Sequence, residues 1–186
     1  FANDLDSLRR LIEWQNSPGG GEVVHDGRRF AYAVPEDLRS AIGEGRLHTP
    51  AVKGEVSLTD ISFEAGFLHV GISAVALSCT TPADATILRL RNRKTGNEVD
   101  IPTTVERAVD VPAGSGNMVR ARTDLSAFEV SVWDAYVVQR FGEDEVTNRF
   151  GGNKAEGVDS SSIYLFDGQK DQPFGKVYFT VGFENL

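Results

Sequence analysis

Phe67-Leu68-His69-Val70-Gly71-Ile72-Ser73-Ala74-Val75-Ala76 is the stretch on which the fold turns. Leu68, Val70, Ile72, Ala74 and Ala76 alternate with Phe67, His69, Gly71 and Ser73, and a period of two puts the first set on one face of a β-strand and the second on the other. One face is therefore buried, and the other is wet or half covered. Glu64-Ala65-Gly66 supplies a turn ahead of the stretch, and Val56 and Leu58 begin a partner strand before that turn.

The same period returns downstream. Leu88 and Leu90 alternate with Arg89 and Arg91, and Lys94-Thr95-Gly96-Asn97 turns the chain into residues 98–101 as a hairpin. Further strands are predicted over 119–121, 128–133, 136–141, 163–166 and 176–183, with a glycine-rich, polar loop over 151–162 that reads as mobile. Short strands joined by polar or glycine-bearing turns, with no helices between them, favour an antiparallel β-sandwich over a parallel sheet.

Upstream the period is helical. Leu5, Leu8, Leu11 and Ile12 form a narrow apolar stripe on a helix ending near Asn16, and Ser17-Pro18-Gly19-Gly20-Gly21 stops it. That stripe must be buried somewhere, a second copy of the chain being one way. An extended piece over 28–34 follows, and Pro35-Glu36-Asp37 opens a second short helix through Leu38 and Ile42. The change of period near Glu55 divides the chain into a helical linker with a short extended segment (1–54) and a β-sandwich domain (55–186).

Composition bounds the function. The 186 residues are 40% hydrophobic and 25% charged, as in a folded globular protein. No apolar run approaches the roughly 20 residues of a membrane-spanning helix. The chain begins at Phe1 with no leader pattern, as a processed product or an excised piece would, and a cytoplasmic location is expected. A net charge of −8 argues against binding a phosphate backbone, so no nucleic-acid partner is expected. Arg89, Arg91 and Arg93 share one side of a strand and read as a solvated outer face. Cys79, the only cysteine, excludes an internal disulfide and cysteine-cluster metal sites and reads as a buried small residue.

The sequence offers little catalytic chemistry. His25, His48 and His69 have no second ligand at metal spacing. Gly114-Ser115-Gly116 lacks the strand-to-helix setting of a nucleophile elbow and reads as a loop. Gly19-Gly20-Gly21 follows a helix rather than a strand and reads as a linker. Asp4-Leu5-Asp6 has the spelling of a metal-binding acid pair, but it opens a helix, where acids are favoured by the macrodipole. Glu143-Asp144-Glu145 reads as an acidic hairpin tip. Neither a catalytic residue nor a metal or other cofactor is expected of this chain. Aromatic rings can stack on the apolar side of a sugar. Trp133 is out of phase with Phe128, Val130 and Val132 and so falls on the opposite, outer sheet face. Tyr136, Tyr164 and Tyr178 are further candidates for a glycan-binding outer layer; plugging a sandwich edge or packing on the leading helices is the other reading of these rings.

The order of segments resembles actinobacterial nucleotide-sugar glycosyltransferases of the GT-A type that build cell-wall glycopolymers. In that family a helical linker, a short extended segment and an immunoglobulin-like β-sandwich follow the catalytic domain. The matching stretches are residues 1–11 (FANDLDSLRRL), 26–35 (DGRRFAYAVP), 58–70 (LTDISFEAGFLHV) and 132–137 (VWDAYV). The family's nucleotide-binding fold and metal-binding acid pair have no counterpart here. The resemblance thus implies a non-catalytic C-terminal accessory domain. It would position a glycan acceptor or mediate self-association, with the parent chain's catalytic domain as partner. A stand-alone carbohydrate-binding or structural interaction module is the alternative.

Overall fold

The alternating stretch forms a strand, β4 (Phe67–Leu77), whose inner positions Leu68, Val70, Ile72, Ala74 and Ala76 are fully buried. A computed structural model describes residues 5–18, 20–42, 52–112, 114–124, 127–129, 131–150, 156, 158, 163–166 and 173–178. β4 is joined to β3 (Lys53–Glu64) through Ala65 and Gly66, which both have positive φ. That pair of angles gives the hairpin turn that matches the twist of the flanking strands.

The remaining strands are β5 (Ala85–Asn92), β6 (Glu98–Val111), β7 (Gly114–Asp124), β8 (Val132–Phe141), β9 (Asp144–Arg149), β10 (Ile163–Phe166) and β11 (Pro173–Tyr178). They join in the order β10-β11-β8-β5-β6-β7-β4-β3, with β9 also on β8. The protein is therefore mostly β, but the expected pair of separate antiparallel sheets is one curled sheet. β6 makes it continuous: Glu98–Pro102 pairs with β5, and Thr103–Val111 pairs with β7. The sheet is not wholly antiparallel either, since β11 runs parallel to β8, with Val177 beside Trp133.

Curling brings the two halves face to face. Val56, Leu58, Leu68, Val70, Ile72, Val119 and Ala121 of one half pack with Leu88, Leu90, Ile101, Trp133, Ala135 and Val137 of the other. Burial of so much aliphatic surface is the main driving force for the fold. A second cluster at one end of the sheet contains Val23, Ala76, Cys79, Phe141 and Val146. Val23 arrives there on a small hairpin, β1 (Val23–His25) and β2 (Phe30–Tyr32), which docks through a bridge to Cys79.

Several boundaries differ from expectation. Residues 128–133 and 136–141 are not two strands: β8 runs from Val132 through Phe141 without a break. Asp134 does not interrupt it because Arg93 and Arg149 neutralise its carboxylate. Gly114-Ser115-Gly116 opens β7 rather than forming a loop, and its glycines lie close against the backbone of β4. The helices are α1 (Leu5–Gln15) and α2 (Glu36–Ile42), linked by an Arg10–Asp37 ion pair. Leu5, Leu8 and Ile12 remain exposed on α1. Most of the 151–162 loop and residues 179–183 lie outside the described residues. No helix is long and apolar enough to cross a membrane.

Candidate functional site

The change of partner along β6 opens a fork. The β6–β7 ladder ends at Thr103 opposite Ala121, so Glu98–Pro102 stays with β5 while Arg122–Asp124 stays with β4. Between the diverging strands lies a groove of about 510 Å³. Backbone edges that leave a ladder keep unused hydrogen-bonding groups, which a polar ligand can take. Side chains of Asn97, Asp100, Arg122, Thr123, Asp124 and Glu129 rim the groove, and Phe128 and Trp133 form its apolar base.

The wall carrying Phe128 and Glu129 is held from behind. Asn92, fully buried at the end of β5, accepts from the backbone N–H groups of Lys94 (2.8 Å) and Thr95 (3.1 Å) and from the Ser131 hydroxyl (3.1 Å). Its amide nitrogen donates to the Glu129 carboxylate. One side chain thus ties the β5–β6 turn to the segment entering β8. The Trp133 indole N–H donates to the Glu129 carbonyl at 3.2 Å, and the Trp133 and Phe128 rings meet edge to face at 5.2 Å. On the opposite wall the Arg122 guanidinium lies 3.5 Å from the centroid of Phe67, a cation–π contact that holds a long side chain in place.

The outer face of β5, β6, β8 and β9 has a different character. Register places Arg89, Asp100, Arg140 and Glu145 together, and they close a ring of charges. Arg89 donates to both Asp100 oxygens (2.6 and 2.9 Å) and to Glu145 (3.3 Å), while Arg140 donates to Glu145 (2.9 Å) and Asp100 (3.0 Å). The Arg89 hydrogen bonds hold the Asp100 carboxyl below the usual carboxylate range, and those of Arg140 do the same for Glu145. Val138 of the same face is fully buried, as expected where arginine stems cover apolar surface.

No protein-family model matches the chain, and no curated relative matches it. Among solved structures, S. aureus TarS 217–571 aligns with it at a TM-score of 0.48 and 17% identity, over 88% of this chain and 45% of that one. The chain therefore spans less than half the length of that structure.

The structure separates the four aromatic residues singled out in the sequence. Trp133 is not on the outer face: at 5% exposure it belongs to the core with Ala135 and Val137, because β8 shares its inner face with those positions. Only its edge reaches the groove. Tyr136 does face outward, between Arg89 and Arg149, and the Arg149 guanidinium lies 5.5 Å from its centroid. Register sets Tyr178 beside Asp134 on β8 and Tyr164 opposite Lys176; their side chains lie outside the described residues. The groove was not legible beforehand, since Asn97, Arg122, Asp124 and Phe128 come from three separate segments. The Asn92-to-Asn97 turn was its one visible sign.

The other candidate motifs are spoken for by neighbours. Ser115 donates to the Thr81 carbonyl at 2.7 Å in a strand setting. The Asp144 carboxylate pairs with His25 Nε2 at 3.1 Å, and Glu145 belongs to the charge ring. His25 Nδ1 in turn accepts from the Gly27 N–H. Asp4 and His48 lie outside the described residues. Among the described residues, no three His, Cys, Asp or Glu side chains are grouped to hold a metal ion.

Proposed function

We propose that the chain is a non-catalytic accessory module of a glycosyltransferase that holds a glycan acceptor in the forked groove. The observation that carries this reading is the make-up of the groove. A half-buried ring, Phe128, stands among a guanidinium, an amide, a hydroxyl and carboxylates, beside strand edges free of ladder pairing. Sugars are bound by this combination, an apolar patch for the ring face and planar polar groups for the hydroxyls. The glycosyltransferase parent is supported by the segment order that the chain shares with that family: helix, extended hairpin, short helix, then sheet. Within this proposal the catalytic domain of the parent chain is the principal partner, the location is cytoplasmic, and the curled sheet is an immunoglobulin-like sandwich. Self-association would be a second role of the same module.

Glycan-array binding followed by calorimetric titration of the strongest binder tests the reading. Phe128→Ala and Asp124→Asn should each weaken binding about tenfold or more, the loss of about 1.4 kcal/mol of contact, while leaving the folded structure unchanged. If the intact chain binds no glycan, or if these variants bind as well as the parent, the groove is not the site. Joining the chain to a glycosyltransferase domain and finding no change in acceptor affinity would leave a stand-alone carbohydrate-binding module instead.

A further inference from the structure

A polar seam crosses the interior and divides the two apolar clusters. Gln139, 1% exposed, sits on the inner face of β8 between Val137 of the first cluster and Phe141 of the second. Thr86, 4% exposed, is its direct partner on β5. Asn148 points inward from β9 between Val146 of the second cluster and Phe150 of the first. Across the layers Gly54 of β3 occupies the matching position, between Val52 and Val56, and a Cβ there would run into the Asn148 amide. Glycine at this one point lets a polar side chain enter the space between the layers.

The buried atoms on this seam are complementary. Thr86 Oγ1, Gln139 Oε1 and Asn148 Nδ2 are each shielded from solvent and have no hydrogen-bond partner among the described residues. Leaving such a group unpaired costs about 1–3 kcal/mol. Three on adjacent strands are a set that native interiors satisfy with an ordered water.

We propose that the seam binds one internal water molecule. The water accepts from Asn148 Nδ2 and donates to Gln139 Oε1 and Thr86 Oγ1, three bonds being the usual complement of a buried water. It links β5, β8 and β9 through side chains, beyond their backbone ladders, under the cover of Gly54 and Ala76.

An atomic-resolution crystal structure of the whole chain is the direct test, together with magnetisation transfer from water to the Asn148 side-chain amide. Expected are one ordered water within about 3.2 Å of all three atoms and a transfer peak at Asn148. Gln139→Met keeps the volume but removes the acceptor, and should abolish that peak. The proposal is overturned if either amide is turned over and bonds directly to its neighbour. It is equally overturned if the seam is dry, or if the Gln139→Met variant keeps the peak at full strength.

Discussion

Trp133→Ala is the substitution that most sharply separates a core role from a surface one. An aromatic of this size takes about 150–250 Å² out of water, worth about 4–6 kcal/mol as an upper bound at about 25 cal/mol per Å². Trp133 is almost wholly enclosed among Val137, Ala135 and the rest of the main cluster, so most of that value applies. Core truncations of aromatic residues cost about 3–5 kcal/mol, and the lost indole bond to Glu129 adds about 1 kcal/mol. A loss of about 4 kcal/mol is the expected outcome. Urea unfolding followed by far-ultraviolet circular dichroism measures it, since Trp14 complicates fluorescence. With a slope of about 2 kcal/mol per molar, the midpoint should fall by about 2 M. A fall of less than about 0.5 M would mean that the ring is not packed as described, and the groove base built on it would go with it.

Acid should expose the charge ring. Asp100 and Glu145 have folded-state pKa values below their unfolded ones, so their stabilisation is present above the ordinary carboxylate range and lost as pH falls through the lower folded values. Between about pH 5 and 3 the melting temperature of the parent should drop more steeply than that of Asp100→Asn, and parallel curves would dismiss the ring as a stabiliser. Cys79 is buried and its thiol is pushed up by that burial, so a disulfide reagent should label it only as fast as the chain unfolds; rapid labelling of folded protein would contradict its placement. Gly142→Ala puts a Cβ near the Gly27 carbonyl at a φ of 57° and should cost about 1–2 kcal/mol, read by the same urea titration.

The sequence carried the strands whose two faces differ in polarity. In β4 every inner residue is apolar and the pattern runs unbroken, so a local reading recovers both the strand and its buried face. β8 hid its continuity because both of its faces hold buried residues, including Trp133 and Asp134, and alternation then loses its meaning. The phase reading of Trp133 failed for a related reason. Phe128 and Val132 were taken as one strand with it, whereas Phe128 precedes β8 and sets no phase. β1 was invisible since three residues carry no period, and its burial comes from Cys79 and Phe141 far along the chain. The groove needed the partner exchange of β6, a long-range property that no local pattern records. Asn92 shows the limit from the other side: its turn was readable, but its grip on Glu129 and Ser131 joins segments 37 and 39 residues away.

Strand β6 has a mechanical consequence. A single span of backbone is shared by both halves of the sheet, so the halves cannot part as separate bodies without breaking hydrogen bonds in one of them. Tension applied across the module would load the stretch near Thr103 in shear, where many bonds must fail together. A module placed between an enzyme and a large polymer would gain from such a strap, which passes a pull from one end to the other while the groove beside it keeps its shape.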